Sequence, residues 1–188
     1  FRELCVSLRA HQVDVIALQE INLDTSQLRI RQQIEATIRE IFGAAKIITA
    51  SSPIRSQTSW KPGGVLLAVV GSSSHRVVST QRDPLGRWCS LTLEGRASSL
   101  LQIYSIYQCV DADIGTAGEY TYYAQLWNLL KTGRNQERPN PQRQLITDLK
   151  QELREVQRKG IEMILMGDFN EAIGSDPNLM GSICAELD

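Results

Sequence analysis

The chain lacks several of the residue patterns that settle a functional class by themselves. Its four cysteines, Cys5, Cys89, Cys109 and Cys184, stand far apart with no CxxC spacing. That argues against a cysteine-bound zinc site and a disulfide framework, and leaves reduced, partly buried thiols as the reading. An excess of one charge is missing too: 20 Lys+Arg face 21 Asp+Glu, for a net charge of -1. Nucleic acid is therefore not held by bulk charge, and any grip on it must come from a local groove. No apolar run approaches the roughly 18 residues needed to cross a bilayer, and no signal peptide is visible. An intracellular location, nuclear or cytoplasmic, is favoured over secretion. The chain opens on Phe1 rather than methionine, which suggests a fragment whose missing N-terminus would hide any targeting signal. No repeat of fixed period and no low-complexity tract is present.

What is there reads as one domain of alternating helix and strand. At 188 residues a complete domain would bury roughly 70% of its unfolded surface. "FRELCVSLRAHQ" fits a short helix and "VDVIALQE" a strand rich in β-branched residues. Between Ser26 and Phe42, apolar residues recur at three- and four-residue spacings, predicting an amphipathic helix ended by Gly43. "AKIITA", "GVLLAVV", "HRVVSTQ", "RWCSLTLEG" and "SLLQIYSIYQ" read as strands. The Ser-, Pro- and Gly-bearing stretch "SSPIRSQTSWKPGG" reads as an exposed loop. Helices are predicted from about Glu119 to Lys131 and from about Gln142 to Lys159, with the polar linker "TGRNQERPNP" between them. In the first of these, Tyr120, Tyr123 and Trp127 share a face, which predicts a packed face; a stacking platform for bases is the alternative. Arg134, Arg138 and Arg143 are candidate phosphate contacts or simply keep a loop soluble.

The chemistry concentrates in "MILMGDFNEA". If "IEMILM" is a buried strand, Gly167 ends it where the backbone turns, and Asp168 and Asn170 project toward the same side. A carboxylate at a strand end suits Mg²⁺, which takes oxygen ligands and keeps several waters. An amide beside it can donate to a phosphoryl oxygen. Alone, the four residues fit equally well a turn in which Asp and Asn bond their own backbone. A second strand, "VDVIALQE", ends in Gln19 and Glu20. Two carboxylates in one cleft repel each other unless a cation lies between them. A third strand carries Tyr107, whose phenol can hydrogen-bond a phosphate or a metal-bound water, although strand tyrosines commonly serve packing.

Taken together, "LQE", "IYSIYQ" and "MGDFNE", in this order and with the double glycine of "KPGGVLLAV", resemble the endonuclease/exonuclease/phosphatase superfamily. The resemblance covers most of the chain. It implies an α/β fold of DNase I-like, four-layer α/β/β/α type: two β-sheets face to face with helices outside, here incomplete at both ends. It also implies that Glu20 binds Mg²⁺ or Mn²⁺, and that Tyr107 contacts the scissile phosphate, with Tyr104 a nearby competitor. Asp168 and Asn170 would position the nucleophilic water and stabilise the transition state. Within the superfamily, "PLGRW" and "GDFNE" look most like the endonuclease domains of non-LTR retrotransposons. That narrower likeness makes Arg87 a candidate substrate-phosphate contact, against the plainer reading of an exposed turn arginine.

Two parts of the family pattern are absent: an opening strand that ends in a metal-site asparagine, and a closing Asp-His pair with the catalytic histidine. His11 and His75 are the only histidines and both are expected at the surface. The parent protein is thus expected to hydrolyse phosphodiesters with Mg²⁺, most simply as a DNA-nicking endonuclease. A phosphatase acting on a phosphoinositide or another small phosphoester is the first alternative, and an inactive relic or binding module the second. The 188 residues alone are not expected to turn over DNA at a useful rate.

Overall fold

The computed structural model describes residues 1–54, 56–110, 119–131, 139–171 and 181–183, and there every segment read as helix or strand forms that element. In chain order these are α1 (Arg2–Ala10), β1 (Val15–Gln19), α2 (Leu28–Phe42), β2 (Ala45–Ala50), β3 (Val65–Val70), β4 (Val77–Arg82), β5 (Trp88–Glu94), β6 (Leu100–Tyr107), α3 (Glu119–Lys131), α4 (Pro141–Arg158) and β7 (Glu162–Asp168). Arg134, Arg138 and Cys184 lie outside the described residues. Cys5, Cys89 and Cys109 are free and buried.

The strand that is apolar without alternation, β3, is buried at every position. It is the middle strand of an antiparallel sheet ordered β1-β3-β2, so both of its faces are covered. Val65, Leu67 and Val69 enter the space between the sheets and meet Cys89, Leu91 and Ile103. Leu66, Ala68 and Val70 face outward against Cys5 of α1 and Ile34, Ile38 and Phe42 of α2. The second sheet, ordered β4-β5-β6-β7, is antiparallel except for the parallel pair β6–β7. A parallel pair needs a long crossover, and α3 and α4 lie in it. The apolar stripe of α4 (Leu145, Ile146, Leu149, Leu153) covers Trp88, Tyr104 and Ile106 on the outer face of this sheet. The result is the expected α/β/β/α order, with β1 stacked over β6 and β7 and β2 over β4 and β5.

Two local expectations need correction. Strand β7 does not end at Gly167 but runs through it to Asp168, and the turn begins later, at Asn170 with φ +45°. Gly167 is required for a different reason: a Cβ there would lie 2.3 Å from the carbonyl oxygen of Ile106 on the paired strand. In α3, Tyr120, Tyr123 and Trp127 share a face, but that face is exposed. The helix buries Thr121, Gln125, Asn128 and Leu129 instead, because the loops beneath it offer polar partners. Asn128 donates to Ser52 Oγ at 3.0 Å, and Gln125 Oε1 accepts from Cys109 Sγ at 3.4 Å.

Candidate functional site at the strand ends

Strand pairing alone brings two of the motifs together. The parallel register of β6 and β7 sets Tyr107 opposite Asp168. The ladder continues past the strand end, where the Gln108 N–H donates to the Asp168 carbonyl at 2.9 Å. Asn170 Nδ2 then donates to the Gln108 carbonyl at 2.8 Å. The Asn170 N–H donates to Asp168 Oδ1 at 3.0 Å, so the Asx turn weighed from sequence is present and itself holds the aspartate and asparagine side by side.

The third motif arrives from the other sheet. Gln19 Nε2 donates to Ser105 Oγ at 3.0 Å, and Ser105 Oγ donates to the Leu18 carbonyl at 3.4 Å. These cross-sheet bonds lay the end of β1 over β6, and the next residue, Glu20, brings its carboxylate close to the Tyr107 phenol. Tyr107 is buried. Burial, then the Glu20 carboxylate, with smaller contributions including Asp168, push its pKa up. The phenol therefore stays protonated through neutral pH and acts as a donor, not a base.

Backbone strain marks the same place. Glu20 has φ +49° and Asn170 φ +45°, a left-handed conformation that residues with a Cβ seldom adopt. Asn22, at φ +53°, continues the turn. The double glycine across from it stabilises the bend: the Asn22 N–H donates to the Gly63 carbonyl at 2.9 Å and the Gly63 N–H to Asn22 Oδ1 at 2.9 Å. Gly63 takes φ +75°, and a Cβ on it would lie 2.9 Å from Thr121 of α3.

The donor set suits a hard divalent cation. Glu20 and Asp168 are exposed, and neither has an ion-pair partner among the described residues. Among those residues no three His, Cys, Asp or Glu side chains gather as a cage, which is unlike a structural zinc site. One or two carboxylates with room for waters and phosphate oxygens is the pattern that Mg²⁺ takes.

No protein-family model matches the chain, and no curated protein matches it by sequence. Solved structures do resemble it. ANGEL2, a 2′,3′-cyclic phosphatase, superposes with TM-score 0.54 at 16% identity over 95% of this chain and 45% of that one. The fold is DNase I-like. The human Nocturnin catalytic domain with bound sulfate (TM-score 0.49, 18% identity, 98% of this chain and 60% of that one) is similar to it. So is an endonuclease/exonuclease/phosphatase from Bacteroides vulgatus (TM-score 0.48, 12% identity, 93% and 59%). The chain spans 45% to 60% of the length of these three structures.

Within this DNase I-like frame Arg87 does not reach the site. It is 2% exposed, neither a phosphate contact nor a turn arginine in water. Its Nε and Nη2 donate to the two oxygens of Asp83 at 2.8 and 2.9 Å, and Nη2 donates also to Asp148 of α4 at 2.6 Å. The tight turn "DPLGR" folds Asp83 back onto its own arginine, and α4 closes over the pair. Tyr104 is likewise excluded. It points away from the inter-sheet core, where it donates to Glu152 at 3.2 Å and accepts from Gln102 at 2.8 Å. His11 and His75 are at the surface, as expected.

Sequence reasoning missed two supports of the site. Asp24 and Lys61, 2% and 3% exposed, form an ion pair at 2.7 Å that ties the turn after Glu20 to the loop before the double glycine. Nothing in the local pattern signals a pair 37 positions apart. Gln108, next to Tyr107, is fully buried, and its side-chain amide finds no partner among the described residues.

Proposed function

We propose that this chain carries part of the active site of a metal-dependent phosphodiester hydrolase, with DNA nicking as its reaction and a retroelement-type endonuclease as its kind. The observation that supports it is the meeting of Glu20, Tyr107 and Asp168, delivered by three separate strands to one end of the sandwich. The fold by itself hosts many chemistries, so the reading rests on these side chains. Glu20 would hold Mg²⁺ or Mn²⁺, with Asp168 beside it; the bound ion supplies positive charge to the phosphoryl and leaving oxygens. Asp168 keeps one carboxylate oxygen outside its Asx turn with which to orient water for in-line attack. Asn170 has spent one amide proton on Gln108 and has the other left for a phosphoryl oxygen. Tyr107 contributes a neutral hydroxyl beside Glu20 that can donate to a phosphoryl oxygen.

A second reading, a phosphatase of small phosphoesters, has behind it the fold likeness to a 2′,3′-cyclic phosphatase and a residue set that reads phosphate and metal rather than a base. The test measures metal-dependent nicking of supercoiled plasmid, beside phosphate release from a phosphoinositide headgroup, by protein carrying this chain and by its Glu20→Gln variant. Nicking that needs Mg²⁺ or Mn²⁺ and falls by about a hundredfold or more in the variant is expected. Phosphate release without nicking selects the phosphatase. Neither activity, with metal binding intact, leaves a binding module.

A further inference from the structure

The open side of the sandwich away from Glu20 holds a cleft of about 540 Å³ where the edge strands β2 and β4 part and α2 forms the third wall. Arg31 of α2 and Arg82 of β4 line it from two sides, over Ile48, Thr49 and Thr80. Neither guanidinium has an ion-pair or hydrogen-bond partner among the described residues. The cleft's one carboxylate, Glu35, is approached instead by Arg39 at 3.6 Å. Two like charges therefore line one recess, each without an ion-pair partner among the described residues.

A second feature points the same way. The first turn of α2 contains no acidic residue and its N-cap, Gln27, makes no side-chain cap, yet the helix opens "LRIR". Cations at a helix N-terminus oppose the macrodipole at about 0.3–1 kcal/mol each. The fold gains nothing visible from that placement, and a broken local rule without compensation marks function.

We propose that Arg31 and Arg82 bind a phosphate group in this cleft, as a second anion site distinct from Glu20 and Asp168. Arginine suits it, with donors in a planar fork that matches phosphate oxygens. Thr49 and Arg82 lie at the same ends of their strands as Gln19 and Tyr107. Two strand spacings, about 10 Å, separate β6 from β4 and β1 from β2. Phosphates on one strand lie further apart than the ~3.4 Å axial rise per nucleotide, so a strand of a few nucleotides can place one phosphate at the strand-end site and another here. A free phosphate is the other source of the same chemistry.

The experiment follows the arginine Nε–H signals of the whole chain by NMR while inorganic phosphate is added. Arg31 and Arg82 are expected to shift together on one saturable curve. Arg31→Gln and Arg82→Gln, from different walls, should each weaken phosphate binding by about tenfold, the loss of one charge-assisted contact. If neither signal moves, or if Arg31→Gln leaves the response of Arg82 unchanged, the site does not exist. This arm is independent of the hydrolase reading, and Glu20→Gln should leave it untouched. The second arm rests on that reading and measures oligonucleotide affinity across salt concentrations. A slope reduced by about one per substituted arginine identifies a backbone phosphate. An unchanged slope with weakened phosphate binding identifies a free one.

Discussion

Two groups of charged side chains sit at the same end of the sandwich and are handled in opposite ways. Asp83, Arg87 and Asp148 are closed on one another: the arginine is buried, and its donors meet both carboxylates at 2.6 to 2.9 Å. Glu20 and Asp168 are exposed, carry the same sign, and both lie near the phenol of Tyr107. Backbone strain lies next to the open group and not in the closed one. Glu20 and Asn170 adopt positive φ, whereas none of Asp83, Arg87 and Asp148 does. Where charge serves the fold, the chain supplies both signs and relaxed geometry. Where it leaves the carboxylates of Glu20 and Asp168 without an ion-pair partner among the described residues, beside strained turns at Glu20 and Asn170, the proposed cation would supply the missing charge.

The largest effect should come from breaking the closed group. Arg87→Met removes the guanidinium that joins the two carboxylates and is expected to cost about 3–5 kcal/mol, read as a fall in the urea midpoint. A cost below about 1 kcal/mol would mean that water, not the arginine, satisfies Asp83 and Asp148, and the contrast would disappear.

The second closed pair adds a pH dependence. Burial would raise the Asp24 pKa, but hydrogen bonds from Lys61, Ser26 and Gln27 and the charge of Lys61 outweigh it and hold the carboxylate at about 2, against an ordinary 3.8. A depressed carboxylate stabilises the fold above its unfolded pKa, and that stability is lost as pH falls through the folded value. Roughly 2 kcal/mol should therefore vanish between about pH 4 and pH 2. Lys61→Met should lower stability at neutral pH and flatten that acid limb. An acid limb that survives the substitution would assign it to other carboxylates.

The open group should respond in binding rather than in stability. Glu20→Gln and Asp168→Asn are each expected to weaken Mg²⁺ or Mn²⁺ binding by about tenfold or more, while metal-free stability changes by no more than about 0.5 kcal/mol. Glu171→Gln should change neither. Titration calorimetry beside thermal unfolding checks this, and equal affinity in all four proteins would remove the metal assignment. The smallest effect isolates strain: both Glu20→Gly and Glu20→Ala remove the carboxylate, but the glycine protein should be the more stable by about 1 kcal/mol, since only glycine takes positive φ without a Cβ clash.

Much of the frame was legible because it depends on chain neighbours. The apolar runs of β3 and β6 marked strands, and the three- and four-residue spacing of α2 outlined its helix. Most strand ends followed from these periods, although β7 runs past the predicted end at Gly167, and with them the residues that gather at one end of the sandwich: Gln19 and Glu20, Tyr107, Asp168 and Asn170. The same local reasoning grouped Tyr120, Tyr123 and Trp127 correctly onto one face of α3 but took that face to be packed, whereas it is exposed. It placed Arg87 in a turn without its burial, because its second carboxylate lies 61 positions away on α4. Periodicity is set by adjacent residues and is written in the sequence. Burial, charge pairing, the bend that makes Glu20 the partner of Tyr107 and the close approach that demands Gly167 depend on what distant segments bring alongside, and only the packing of the two sheets and their helices decided those.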